Sequence, residues 1–225
     1  MARAARTGES AGAGPYLCHN SDPDLVYRPD VDELYLFYTV QQRSVRCSSY
    51  NRNELRLIRS HDGVRWSAAE TVLSWDLAKA PLYLSPGVVY RDGSFELWMA
   101  GNGGVVHATS RDGFVWSPVA PVRIDAKPWH LDVEFDEARS AYWMVYVDSP
   151  RPGSKLRLAT SSDGLSWAVY PAPLLVPGRA WDDNRIYRAT FVEGSGTFRV
   201  WYSAESRLGQ WHIGYAEAAS VALSP

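Results

Sequence analysis

Cysteine is almost missing from this chain. Cys18 and Cys47 are the two present, too few for a disulfide framework or a cysteine zinc site. They read as reduced thiols or, in an exported protein, as a single bridge. No segment approaches the ~18 apolar residues of a membrane span, which argues against a membrane-embedded chain. An excess of one charge is also lacking: 23 Lys and Arg against 25 Asp and Glu leave a net charge of −2, so neither nucleic acid nor an anionic membrane is an expected partner. Residues 1–14 are small and polar without an apolar h-region, and are expected to form a disordered leader rather than a signal peptide. With neither signal nor span, a cytoplasmic location is the default expectation. Convincing amphipathic helices, metal-ligand spacings, a phosphate-binding glycine loop and a nucleophile elbow are all missing, so no metal or other cofactor is expected. Gly101-Asn102-Gly103-Gly104 lies between two strand-like segments and reads as a hairpin loop.

What is abundant is aromatic. Ten Trp and thirteen Tyr against three Met favour packed sheets, where flat rings fill the space between layers. The pattern Ser-x-Asp-Gly-x-x-Trp occurs at Ser60–Trp66, Ser110–Trp116 and Ser161–Trp167, a pitch of about 50 residues, which marks a supersecondary unit stacked on copies of itself. Four versions of one aromatic strand accompany it: Leu34–Tyr38, Phe95–Met99, Tyr142–Tyr146 and Phe198–Tyr202. Each follows a short strand and precedes a third, and in the first three units a fourth strand is expected to open at the motif Trp. The last unit lacks the motif, whereas Pro15–Cys18 is strand-like with no unit of its own. The expected architecture is therefore an all-β propeller of four recognisable four-stranded blades over residues 15–225, its ring closed by the N-terminal strand.

The turn motifs, together with blade openings such as Ser21-Asp22-Pro23-Asp24-Leu25-Val26-Tyr27 and Ser85-Pro86-Gly87-Val88-Val89-Tyr90, resemble the five-bladed glycoside hydrolase-like propellers, the arabinanase, xylosidase and invertase-like enzymes and related mannoside phosphorylases. The resemblance runs from about residue 15 onward and departs in blade number, since four units are countable and a fifth is not. It implies a carbohydrate substrate and a carboxylate site at the channel mouth. Family members carry Asp at the start of the first and third blades and an acid Glu at the start of the fourth; here the aligned positions are Asp22, Asp132 and Arg188, with Ser85 in the second blade. Arginine cannot act as a general acid near neutral pH. Substitutes are sought where second strands return to the same face, which gives Glu205 and Asp148; Glu134 lies two residues after Asp132 on the same side of its strand, and Asp182 and Asp183 occupy the loop entering the fourth blade, with Glu134 and Glu205 favoured. Catalytic candidates are thus Asp22, Asp132, Glu134 and Glu205, and substrate-binding candidates Trp129, His130, Trp181, Asp183, Arg185 and Arg188. Asp62, Asp112 and Asp163 are expected on the opposite rim as turn residues.

Two functions remain open on this reading. One is a glycoside hydrolase-like protein acting at the channel mouth. The other is a propeller that binds a glycan without cleaving it, or serves as a protein-interaction scaffold, having lost the acid.

Overall fold

The computed structural model describes residues 16–43, 50–77, 81–101 and 104–220. The leader expected over residues 1–14, the side chain of Cys18, and Cys47 lie outside the described residues. Strand fills most of the rest. The first blade comprises β1 (Tyr16–Arg28), β2 (Glu33–Arg43), β3 (Tyr50–Ser60) and β4 (Glu70–Asp76). The second comprises β5 (Tyr83–Arg91), β6 (Ser94–Gly101), β7 (Gly104–Ser110) and the short β8 (Ala120–Pro121). A two-residue strand, β9 (Arg123–Ile124), then joins the outer edge of the third blade, formed by β10 (His130–Asp136), β11 (Ala141–Val147), β12 (Leu156–Ser161) and β13 (Ser166–Val169). The fourth blade is β14 (Arg185–Gly194), β15 (Thr197–Glu205) and β16 (Trp211–Ala219). The four blades form a propeller ring; pairing within them is antiparallel except where β9 lies parallel to β13.

The aromatic second strands of the second and third blades are largely buried on both faces, whereas those of the first and fourth bury one face; Phe37, Phe95, Trp98, Met99 and Met144 are fully enclosed. Among the described residues, three apolar clusters join neighbouring blades. Phe37 and Leu57 of the first meet Phe95 and Leu97 of the second. Trp98 of the second meets Tyr142 and Trp167 of the third. Trp143 and Val145 of the third meet Phe191 and Phe198 of the fourth.

The Asp-Gly turns behave as their composition predicts. In each, one carboxylate oxygen accepts from two backbone N–H groups, as Asp62 Oδ1 does from Val64 and Arg65 at 2.8 and 2.7 Å. Gly63, Gly113 and Gly164 take positive φ, as the turn demands. Trp116 and Trp167 each donate Nε1–H to the turn glycine's carbonyl.

Two expectations need correction. The segment from Tyr16 does not supply an outer strand to the fourth blade; it prolongs β1 and pairs with the end of β2, Tyr16 opposite Arg43, so the fourth blade has three strands among the described residues. Pairing with the adjacent hairpin continues a ladder already begun at Arg28 opposite Glu33 and closes no long loop. The outer strands of the first two blades also begin beyond the motif Trp, at Glu70 and Ala120, because Ser67 and Ser117 bond back to Arg59 and Thr109 and hold Trp66 and Trp116 inside the turn.

Candidate functional site at the channel mouth

Register decides which residues share a height along the axis. The motif serines anchor it: Leu34, Phe95 and Tyr142 lie opposite Ser60, Ser110 and Ser161. Counting from these, Phe37, Trp98 and Val145 pair with Asp24, Gly87 and Asp132, and Trp201 of the fourth blade pairs with Thr190. Two residues further, Thr39, Ala100, Val147 and Ser203 pair with Ser21, Leu84, His130 and Arg188. Asp132 is thus the structural counterpart of Asp24, and Arg188 that of His130, which corrects the alignment of Asp22, Asp132 and Arg188 as one set. The shift comes from β-bulges, which insert unpaired residues at Asp22–Pro23, Ser85 and Tyr187. Asp22 and Ser85 take φ of 52° and 56°, each just before a proline.

The bulges turn side chains into one buried group. Asp22 Oδ1 accepts from Arg188 Nη1 at 2.7 Å and lies 3.4 Å from His130 Nδ1. Arg188 Nη2 donates to the Pro23 carbonyl at 3.0 Å. Asp22 Oδ2 receives the hydroxyls of Ser21 and Thr39 at 3.3 and 3.4 Å. His130, 2% exposed, also has Nδ1 3.2 Å from Ser85 Oγ. The Ser85 hydroxyl donates to the Leu131 carbonyl and accepts from the Leu131 N–H. Asp22 offers only acceptors, and the hydrogen of Ser85 is committed to Leu131, so the His130 proton belongs on Nδ1. The opposite nitrogen, Nε2, is buried without a hydrogen-bond partner among the described residues. Burial holds the imidazole down to about 4, with Asp22 opposing that shift and Arg188 adding to it, so the ring is neutral at pH 7. Tyr187 packs on it at 4.6 Å between ring centroids. Ser85 and Asp22 meet the same nitrogen, which rules out a serine–histidine–aspartate relay through Ser85.

One tier deeper, Asp132 Oδ2 accepts from Thr190 Oγ1 at 2.8 Å and from the Phe191 N–H at 3.3 Å, while Asp24 Oδ2 accepts from the Val88 N–H at 2.6 Å. Burial raises both carboxyls, and the Asp132 charge adds to the rise at Asp24. Glu134 follows on the same side of β10. It reaches solvent beside Phe191, Val192 and Glu193, yet protein surrounds it closely enough that burial, then the Asp132 charge, pushes its carboxyl up to about 8.

The structure therefore brings Asp22, His130 and Arg188 together, with Asp132 and Glu134 below them. The remaining candidates are placed elsewhere or held by neighbours. Glu205 is held by Arg185 Nε at 2.6 Å and Asn184 Nδ2 at 3.1 Å. Asp183 accepts from the Arg207 N–H, and Trp181 stacks on Tyr202 at 5.7 Å. Asp148 receives Arg157 and the Lys155 N–H, and Asp182 the Arg179 N–H and the Tyr202 hydroxyl. Trp129 adjoins His130 edge-on, and its buried Nε1 has no partner among the described residues. Sequence reasoning missed Asp24 and Tyr187, and gave Ser85 no part; the Asp22-Pro23 and Ser85-Pro86 steps were the available signal for the bulges that place Asp24 and Ser85, and the Tyr187 bulge has no such step. Among the described residues, no group of three or more His, Cys, Asp or Glu is arranged to hold a metal ion, and no helix is long and apolar enough to cross a membrane.

No family model matches the chain. It is 30% identical to a Flavonifractor plautii protein, the A type blood N-acetyl-alpha-D-galactosamine deacetylase, over 290 aligned positions that take in 91% of this chain and 37% of that protein. The chain thus spans well under half the length of that relative. Among solved structures, a glycosyl hydrolase from Bacteroides ovatus superposes with a TM-score of 0.67 at 14% identity, covering 88% of this chain and 66% of that one. The Coprinopsis cinerea GH62 alpha-L-arabinofuranosidase catalytic domain gives 0.62 at 17% identity, covering 93% and 67%. The Bombyx mori GH32 beta-fructofuranosidase gives 0.66 at 14%, covering 89% and 46%. The fold is that of the glycoside hydrolase-like β-propellers.

Proposed function

We propose that this chain acts on a carbohydrate at the channel mouth, and that the bond it hydrolyses is an N-acyl bond on a sugar rather than the glycosidic bond. The observation that carries this reading is His130: a neutral imidazole, its proton fixed on Nδ1 by Asp22 and Ser85, with Nε2 buried and unpartnered among the described residues. We assign this nitrogen the part of general base. Water adds to the amide carbonyl and gives its proton to Nε2; that proton then passes to the departing nitrogen, and acetate and a free amine are released. Asp22 stabilises the imidazolium formed in between. Arg188 commits two of its donors to Asp22 and the Pro23 carbonyl, and its other N–H groups are the donors this reading assigns to the developing oxyanion. The name of the Flavonifractor plautii relative supports an N-acetyl sugar as substrate.

Glycosidic cleavage fits less well. It needs a carboxylic acid and a second carboxylate flanking one bond. Here Asp22 is engaged by Arg188 and Glu205 by Arg185. The test is product identity. Incubation with N-acetylgalactosamine-containing oligosaccharides should release acetate and leave the chain length of the sugar unchanged; release of shorter sugars without acetate overturns the reading.

A second reading, binding without cleavage, is favoured by the same Arg188–Asp22 pair, which neutralises the mouth. It predicts saturable glycan binding with no product of either kind.

A further inference from the structure

The outer edges of the first three blades are each blunted. In the first, β4 carries exposed Glu70 and Asp76 and a bulge in its pairing with β3; in the second, β8 is two residues long and ends in Pro121; in the third, β9 is two residues long. These are devices by which a sheet edge avoids further pairing. The fourth blade has none of them. Its edge strand among the described residues is β16, nine residues that pair with β15 along their whole length without a register shift. The strand contains no proline, no lysine and a single carboxylate, Glu217.

Such an edge presents backbone N–H and C=O groups at the spacing of a strand, so what completes it is another strand. β16 is itself a strand that fits. Antiparallel pairing of two copies about a two-fold axis at Tyr215 overlaps all nine residues, the largest overlap the strand allows, with Trp211 opposite Ala219 and Tyr215 opposite its own counterpart. The side-chain period of two keeps the open-face residues of both copies on one side of the sheet. Glu217 then lies opposite Ile213, so no like charges oppose each other. Within one chain Tyr215 already meets Trp201 at 5.4 Å across the strand pair, and the two-fold extends that contact into a row of four rings. Trp201, Tyr215 and Ile213 are 40%, 47% and 76% exposed in the single chain.

We infer that this chain forms a two-fold homodimer through β16, the two fourth blades joining edge to edge into one continuous sheet. β16 runs from Trp211, opposite Glu205 at the mouth end, to Ala219, opposite Thr197 at the far rim, so antiparallel pairing points the two channel mouths in opposite directions. The occupant of the edge is a second copy; stacking of two open faces, and cover by another segment, are the competing outcomes.

Sedimentation equilibrium of the whole chain tests this. The wild type should be a dimer that dissociates at about micromolar concentration, the strength expected of a small edge contact. Tyr215→Lys, which sets two ammonium groups opposite each other, should raise the dissociation constant at least about fivefold. Trp201→Ser, on the same face but one strand in from the edge, should leave it within about twofold. Cross-linking reads the register independently and decides alone if Tyr215→Lys does not fold. Tyr215→Cys should join two chains at that position on diamide oxidation, located by peptide mapping, because directly opposed Cβ atoms in an antiparallel pair lie about 4.5–5.5 Å apart, close to disulfide reach; Ile213→Cys should not. A wild type that stays monomeric up to about 100 µM overturns the inference. So does a dimer that survives Tyr215→Lys, one that Trp201→Ser disrupts as strongly, or one that Ile213→Cys cross-links and Tyr215→Cys does not.

Discussion

Arg188 Nη1 lies 2.7 Å from Asp22 Oδ1, and this pair ties the fourth blade to the first across a seam that none of the three apolar clusters spans. A charge pair therefore does at this seam what apolar packing does at the others. Asp22 is largely buried, and removing its cation leaves an under-compensated charge. Arg188→Ala should lower the unfolding free energy by roughly 2 kcal/mol in urea titrations at neutral pH. Arg188→Lys should recover only part of this, since one ammonium cannot repeat the two-branched contact with Asp22 and the Pro23 carbonyl.

The two turn glycines Gly63 and Gly164 occupy the same place in the same motif, at φ of 69° and 71°, but meet different surroundings. A Cβ on Gly63 would have Leu34 Cδ1 as its nearest neighbour, at 3.6 Å, whereas one on Gly164 would lie 2.8 Å from Trp98 Cζ2 in the seam between the second and third blades. Gly63→Ala should cost about 1 kcal/mol for the left-handed backbone alone. Gly164→Ala should cost about 1–3 kcal/mol more from overpacking, measured by thermal unfolding of the two variants side by side.

Glu134 gives a pH dependence whose sign follows from its carboxyl being raised. The folded protein holds the Glu134 proton up to about pH 8, while an ordinary glutamate loses it near 4.5, so the folded state binds more protons between these values and stability falls as pH rises through that window. Glu134→Gln should flatten this decline in denaturant midpoints from pH 5 to pH 9. A smaller slope should remain, because Asp24 and Asp132 are raised in the same direction.

His130 has the opposite dependence on the acid side. Its imidazole is held to about 4 against an ordinary value near 6.5, so the unfolded chain binds more protons in that interval and stability falls as pH drops from 6.5 towards 4. If His130 is the proposed base, kcat/KM for acetate release should fall on the same limb with an apparent pKa near 4, read from a pH–rate profile in buffers of constant ionic strength.

Much of the fold was legible because its signals are local. Ser60, Ser110 and Ser161 mark the turns, and the aromatic strands mark the second position of each blade. The site was harder, because a bulge adds a residue without changing composition. Asp22 and Asp132 look equivalent as first acidic residues of their blades, yet the extra residues at Asp22–Pro23 make Asp24 the partner of Asp132 in height. Nor could spacing show that Glu205 is consumed by Arg185, or that Ser85, 45 residues from His130, fixes its tautomer. Those depend on side chains converging from different blades.

The most direct measurement of the central claim is acetate release from an N-acetylgalactosamine-containing oligosaccharide by the wild type and by His130→Gln, with folding of both checked by their unfolding transitions. If Nε2 of His130 is the base, the wild type releases acetate and the variant, still folded, loses at least about a hundredfold in kcat. Acetate release that persists at the wild-type rate in His130→Gln, or a wild type that releases none, contradicts the account.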